Sequence, residues 1–326
     1  MKYPVTGLCR LFDISKQAYY KHDENSVLRK SVQEKFVLEF IREVRQSDPG
    51  IGGLKLWHMY KRKFGEENHV GRDRFEDIVD RFGLKLRRKV RAPKTTDSSH
   101  GLPLYPNIIK DFIPTGINQL WVSDITYITL WRGMENYRFC YLSLVLDAYS
   151  EEIIGWSVGP TLEKRYPLEA LKMAIGRIGD KSATSLIHHS DRGCQYASRE
   201  YVSILDSNGI RISMTESGDP KENAQAERIN NTIKNEIFKG RRFSDISEVR
   251  YAVKNAVDFY NNERPHMSIN MLTPAEAALN SGEIEKKWTS YRLIAIKSKL
   301  QDINITRNSL PLQGGTEDTH LVNPTQ

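Results

Sequence analysis

The chain has 326 residues, of which 39% are apolar, and this is enough for two or three domains with at least one sizeable core. It contains no apolar run of eighteen residues and no apolar N-terminal leader, so we expect a cytoplasmic protein rather than a membrane or secreted one. The three cysteines, Cys9, Cys140 and Cys194, are far apart, which argues against a disulfide framework or a zinc ribbon.

The net charge of +7 is distributed unevenly along the chain. Residues 1–100 contain 22 Lys or Arg against 14 Asp or Glu, whereas the remaining residues are close to neutral. Excess positive charge favours polyanions, because their binding releases condensed counterions. The distribution predicts nucleic acid as the partner of the N-terminal part, with a solvated basic surface as the alternative.

Short helices are predicted along the N-terminal part of the chain. A helix, a turn at 12–14 and a second helix after Ser15 give a helix-turn-helix-like segment over residues 1–25. Apolar residues at helical spacing then predict a helical DNA-binding module over residues 26–95. Its helices are expected at 26–45, 54–64 and 72–82.

The predicted module ends in a basic tail. Six Lys or Arg fall within residues 85–94, and Arg87, Arg88 and Lys89 are expected to follow a DNA backbone. The Ser- and Thr-rich stretch that comes next predicts a linker over residues 96–115.

Strand patterns begin after the linker. Three β-rich runs, starting with WVSDITYITL at 121–130, predict antiparallel strands, and helices and strands then alternate. The pattern is typical of an α/β fold with a mixed sheet flanked by helices, over residues 116–282. Residues 283–326, rich in polar side chains, are expected to be a poorly ordered tail.

Three acids stand out in this α/β region. Asp124 lies in the middle of a strand, where a carboxylate is costly to bury unless it is paired or bound to a metal. Asp191 follows a buried strand, at the end where open α/β sheets bind ligands. Glu227 lies one turn inside a helix predicted at 223–239. The alternative roles are an ion pair for Asp124, a turn for Asp191 and an exposed helix charge for Glu227. Together, the three acids suit the binding of a pair of divalent ions.

Polar residues near these acids are candidate DNA contacts. Asn231 and Lys234 follow Glu227 at four and seven residues, so they are expected to share its helix face. Gln195 follows Asp191 and is expected to contact the bound strand. His188 and His189 are adjacent on a strand and point to opposite faces, which argues against a zinc site.

Several motifs occur together in this region: DITY around Asp124, HHSDRGCQY around Asp191, the helix ENAQAERINNTIKNE, YNNERPH and LTPAEA. In this combination the chain resembles insertion-sequence transposases of the DDE, or retroviral-integrase, superfamily. Within this superfamily, it looks like the second-frame catalytic protein of the third insertion-sequence family, from about residue 5 to residue 282. The resemblance implies a ribonuclease H-like integrase core in which Asp124, Asp191 and Glu227 are the catalytic, metal-binding triad.

The resemblance also implies a function. Such proteins cleave the ends of their insertion sequence and join them to DNA by metal-dependent transesterification, through a circular intermediate. The implied cofactor is Mg²⁺, with Mn²⁺ as a substitute. The implied partners are the terminal inverted repeats, target DNA, further copies of the chain in a synaptic complex, and an upstream-frame protein or fusion. No membrane partner is expected, and the location would be the bacterial cytoplasm, at the nucleoid when DNA is bound.

Two other functions fit parts of the sequence. One is a catalytically inactive DNA-binding repressor or decayed copy, although all three acids are intact. The other is a ribonuclease H that cuts RNA in hybrids, although this does not predict the N-terminal helices.

Overall fold

A computed structural model describes residues 4–21, 24–68, 70–86, 101–132, 136–178, 185–216 and 220–308. The chain divides into two compact units, Met1–Lys287 and Trp288–Gln326. Among the described residues, no helix is long and apolar enough to cross a membrane.

A five-stranded mixed sheet forms the centre of the first unit. Its strands are β1 Leu120–Trp131, β2 Tyr137–Asp147, β3 Ile153–Gly159, β4 Ile187–Ser190 and β5 Arg211–Met214. Their order across the sheet is β3-β2-β1-β4-β5. The first three strands are antiparallel, whereas β4 runs parallel to both β1 and β5. β-Branched and aromatic residues favour these strands, and the predicted mixed sheet is present.

Helices cover both faces of this sheet. The described helices are α1 Val5–Leu11, α2 Lys16–Lys21, α3 Glu24–Ser47, α4 Gly53–Asn68, α5 Arg72–Arg81, α6 Arg165–Ile178, α7 Arg199–Ser207, α8 Ala224–Asn231, α9 Ile246–Asn262, α10 Pro274–Ala277 and α11 Tyr291–Asn308. Alternation along the strands supplies two apolar faces. One face packs with α6 and α7, and the other packs with α8, α9 and the N-terminal helices.

The N-terminal helices belong to the same apolar core as the second face of the sheet. Phe40, Ile51 and Phe75 are buried in a cluster that also contains Val122 and Leu142. The contact is close, because a Cβ added at Gly50 would lie 2.3 Å from the Cα of Glu236. The module is therefore seated directly on the α/β part of the unit.

The predicted helix over residues 223–239 is interrupted. Residues Pro220–Asn223 form a 3₁₀ turn, α8 follows, and Thr232–Ile237 is π-helical. A π-helical turn holds more residues than an α-helical turn, so the side chains beyond Asn231 are rotated from the face that a regular helix would give them.

Two predictions concern the basic tail and the C-terminus. Arg87, Arg88 and Lys89 lie outside the described residues. In the second unit, where a poorly ordered tail was expected, Tyr291–Asn308 forms α11, and residues 309–326 lie outside the described part.

Candidate active site

Asp124 lies on β1 where one edge of the strand becomes free. β4 pairs with β1 only at Leu120, Trp121 and Val122, so the edge beyond Val122 is open to α8. α8 packs against β1 there, and the side-chain amide of Asn230 donates to Oδ2 of Asp124 at 2.7 Å. The strand-centre carboxylate is thus held against the helix by a neutral donor.

Asp191 comes to the same end of the sheet. Because β1 and β4 are parallel and Val122 pairs with His189, Asp124 and Asp191 each follow this pair by two residues. The Asp191 carboxylate accepts a hydrogen bond from the backbone N–H of Gly193 at 2.9 Å, which forms a tight turn after the strand. Two acids distant in sequence therefore share one sheet edge.

Glu227 is brought to this edge by the way α8 packs. Ala226, Ile229 and Asn230 form the buried face of the helix, and Glu227 beside them is partly buried. The side chain of Asn223, just before the helix, donates to the backbone oxygen of Ser123 at 3.0 Å. This bond fastens the start of α8 to β1 directly beside Asp124.

The charges of both other acids act on Asp124. Its pKa is raised to about 7, mainly by burial and then by the charges of Asp191 and Glu227, against hydrogen bonds from the backbone of Ile125 and from Asn230. A raised carboxyl pKa next to like charges is characteristic of functional sites. Yet among the described residues no three His, Cys, Asp or Glu side chains form a group ready to hold a metal ion. The acids are close enough to repel one another but are not clustered as ligands.

The two histidines before Asp191 have different partners. His188 Nε2 lies 2.8 Å from Ser123 Oγ, and burial lowers the pKa of this histidine to about 3, so the ring is neutral. His189 Nε2 donates to the backbone oxygen of Glu222 at 3.1 Å, and its Nδ1 lies 2.9 Å from Ser213 Oγ. His189 thus ties β4 to the segment that leads into α8.

The predicted DNA contacts are placed differently from one another. Lys234 is partly buried, and its Nζ lies 3.7 Å from the ring centroid of Tyr127. Burial lowers the pKa of Lys234, whereas the charge of Asp124 raises it, so the ammonium group is near the acids. Asn231 is exposed and accepts a hydrogen bond from Asn235. Gln195 donates to the backbone oxygen of Leu162 at 3.0 Å.

Sequence reasoning missed Asn230. It singled out Asn231 from the spacing to Glu227, whereas the neighbouring asparagine contacts Asp124. Asn230 falls at the spacing of the buried residues Ala226 and Ile229, and that spacing was the available signal.

Sequence reasoning also missed a buried group of charges, named here the ionic network: Asp48, Lys55, Glu236 and Arg264. Arg264 Nε and Nη2 donate to the Glu236 carboxylate at 2.8 and 3.0 Å, and Lys55 Nζ lies 3.6 Å from Glu236 Oε1. Asp48 Oδ2 lies 3.6 Å from Arg264 Nε. Arg264 is 3% exposed, so it packs within the protein and does not present itself to DNA.

The chain matches known protein families and sequences. Models of the integrase core domain match residues 114–220, which contain Asp124 and Asp191, and residues 208–274, which contain Glu227. The chain is 31% identical to a 31 kDa protein of insertion element IS600 from Shigella sonnei, over 82% of this chain and 96% of the relative. It is also 31% identical to the assigned transposase of insertion sequence element IS986/IS6110 from Mycobacterium tuberculosis, over 81% of this chain and 94% of the relative.

The chain belongs to the insertion-sequence transposases with an integrase core domain. A further member, the transposase of insertion sequence element IS629 from Shigella sonnei, is 28% identical over 85% of this chain and 92% of the relative. The family resemblance predicted from the motifs is confirmed. The predicted fold class, a ribonuclease H-like integrase core with N-terminal helices, is confirmed as well. As a transposase-family protein, the chain is assigned to DNA transposition and, in general terms, to polynucleotidyl transfer.

Proposed function

We propose that this transposase cleaves the ends of its insertion sequence and joins them to DNA at the sheet edge that carries Asp124 and Asp191, with Glu227 on α8 as the third acid. The observation that carries the proposal is that Asp124 has two carboxylates, Asp191 and Glu227, as charged neighbours, and burial together with these charges raises its pKa. Like charges held together are costly unless a cation or a substrate compensates them. The site therefore favours a function that needs this charge.

The three acids suit a divalent metal by their chemistry. Carboxylate oxygens are the ligands that Mg²⁺ prefers, and Mn²⁺ accepts the same donors. Asp124, Asp191 and Glu227 would hold the metal, which when bound supplies positive charge beside the attacking and leaving oxygens of the phosphodiester. Asn230 supports this use by fixing Asp124 through a neutral donor, which adds no positive charge beside the acid.

Other side chains have proposed roles in binding DNA. Lys234 lies near the acids and would hold a phosphate of the reacting strand, with Asn231 and Gln195 as further contacts. The N-terminal helical module, with the basic residues Arg87, Arg88 and Lys89, would bind the element end. Two ends have to be brought together, so at least two copies of the chain would assemble on DNA.

The decisive experiment replaces Asp191 by Asn. The variant and the parent are incubated with a duplex of the element end and Mg²⁺, and cleaved and joined products are measured along with affinity for the duplex. We expect cleavage and joining to fall by roughly a thousandfold or more while DNA binding is retained. The control is Asp206→Asn, which changes an exposed acid on α7 and should leave both unchanged.

The opposite results would overturn the proposal. Joining by Asp191→Asn at the parental rate would show that the three acids are not the active site. Absence of joining by the parent, with normal DNA binding, would favour the inactive repressor.

A further inference from the structure

One face of the β1–β2 hairpin carries aromatic side chains that are not part of the buried apolar core. In the antiparallel register Trp131 pairs with Tyr137 and Thr129 pairs with Phe139, so alternate residues on both strands face the same way. The other face of the hairpin supplies the buried side chains Ile128, Leu130 and Cys140. Four rings of the first face that contact one another in a row are named here the aromatic stripe: Tyr127, Trp131, Tyr137 and Phe139.

The rings of the aromatic stripe contact one another and remain open to solvent. Ring centroids lie 5.0 Å apart for Tyr127 and Phe139, 5.5 Å for Phe139 and Tyr137, and 5.8 Å for Tyr137 and Trp131. Tyr127 is 48% exposed, Tyr137 is 54% exposed and Phe139 is 39% exposed. Exposed apolar side chains that form a contiguous patch, rather than standing singly, are candidates for a binding surface.

Positive groups lie at both ends of the stripe. Lys234 Nζ lies 3.7 Å from the Tyr127 ring centroid, and the guanidinium carbon of Arg242 lies 4.2 Å from the Trp131 ring centroid. Exposed rings flanked by cations suit single-stranded nucleic acid, whose bases stack while its phosphates bind the charges.

The stripe also starts beside the candidate active site. Tyr127 and Trp131 are three and seven residues beyond Asp124 on β1, so their side chains point to the opposite face of the strand from Asp124; Lys234, which contacts the Tyr127 ring, also senses the charge of Asp124. At the rise of an extended strand these separations are about 10 Å and about 23 Å. The rings therefore lead away from the acids over a length that a few nucleotides can cover.

We propose that the aromatic stripe binds unpaired bases of the DNA strand next to the phosphodiester that reacts. The rings stack on the bases, and Lys234 and Arg242 hold the phosphates at the two ends. This inference rests on the proposed function, because it assumes that DNA reacts at Asp124. The flanking cations favour DNA over a second copy of this basic chain, which would bring further positive charge to the same surface.

The test measures binding of a fluorescein-labelled oligo-dT of about 20 nucleotides and of a duplex of the same length. Stacking contributes enough per base that Tyr137→Ala and Phe139→Ala should each weaken oligo-dT binding about tenfold, with little change for the duplex. Tyr137→Phe keeps a ring and should bind oligo-dT as the parent does. The control Tyr251→Ala removes a ring that is 70% exposed on α9, outside the stripe, and should change neither affinity.

Other outcomes overturn the inference. Unchanged oligo-dT binding by both alanine variants would show that the stripe does not bind bases. The same unchanged binding, with loss of a multimer by light scattering, would assign the stripe to contact between copies. Asp191→Asn separates this inference from the proposed function, since it should abolish joining but bind oligo-dT normally.

Discussion

Buried acids have opposite charged surroundings in the candidate active site and in the ionic network. In the network, the carboxylates of Asp48 and Glu236 face two cations, Lys55 and Arg264. Burial acts to raise the pKa of Glu236, but the charges of Arg264 and then Lys55 lower it below its usual value. At the sheet edge, Asp124 has two acids as neighbours and its pKa is raised.

The difference separates structure from function. Matched charges hold the N-terminal module on the core, because Asp48 and Lys55 come from the module and Glu236 and Arg264 from the α/β part. An acid whose charged neighbours include like charges, as Asp124 has in Asp191 and Glu227, gains no such stability from them, and this arrangement indicates another role. A raised pKa alone does not make the distinction, since burial and the charge of Glu236 also raise the pKa of Asp48. The balance of positive and negative charge among the neighbouring side chains does distinguish a structural acid from a functional one.

The largest expected effect is on activity. Asp124→Asn removes the central acid while keeping its shape and the neighbouring amide, so cleavage and joining should fall by roughly a thousandfold or more. Without metal, the same change relieves repulsion and should raise the melting temperature by about 3 °C, which corresponds to about 1 kcal/mol. Product assays and calorimetry check the two parts. A variant that joins DNA within tenfold of the parent would remove Asp124 from the site.

The second effect concerns the ionic network. Arg264→Met leaves the buried carboxylates of Asp48 and Glu236 without their main partner and should cost about 3–5 kcal/mol of unfolding free energy. Urea unfolding measures this cost, with Arg199→Met on the exposed side of α7 as the control. Adding Glu236→Gln to Arg264→Met should recover part of the loss. A double variant less stable than Arg264→Met would contradict the charge-balance explanation.

A smaller effect is expected at Lys234. Lys234→Gln removes one proposed phosphate contact and should weaken DNA binding about tenfold at low salt, for all sequences alike. The slope of log affinity against log salt should become shallower by about one unit, whereas Lys234→Arg should keep it. Titrations at several salt concentrations measure both. An unchanged slope would mean that the ammonium group serves only to pack on Tyr127.

The smallest effect depends on pH. The raised pKa of Asp48 means that the folded protein holds a proton that the unfolded chain releases from about pH 4 upward. Stability from this group is therefore complete at low pH and lost as pH rises through the folded value. Asp48→Asn cannot ionise, so its melting temperature relative to the parent should increase as the pH rises from 5 to 9. A constant difference from pH 5 to pH 9 would refute this.

Much of the fold and the proposed triad could be predicted because the signals are local. A run of β-branched and aromatic residues predicted β1, a short buried run predicted β4, and the position of Asp191 after that buried strand placed it at a sheet end. The register of β1 with β4 then brings Asp124 to the same end. Family motifs added the likeness to transposases.

The rest could not be predicted, for physical reasons. Asn230 lies on the buried face of α8, where an apolar residue would be expected, so its role depends on the carboxylate it meets. The π-helical turn at Thr232–Ile237 depends on packing, which no periodicity encodes. In the ionic network, Asp48 is separated from Glu236 by nearly two hundred residues, so tertiary structure alone brings them together.

The close approach of Gly50 to Glu236 bears on the distance between the N-terminal helices and the acids of the sheet edge. No side chain fits between this residue and the backbone of Glu236, so the two parts of the protein meet without an intervening layer. Under the proposed function, DNA gripped by the N-terminal helices would reach the acids at a set offset. The number of base pairs between the recognised sequence and the cleaved phosphodiester would then be fixed by the structure of the protein.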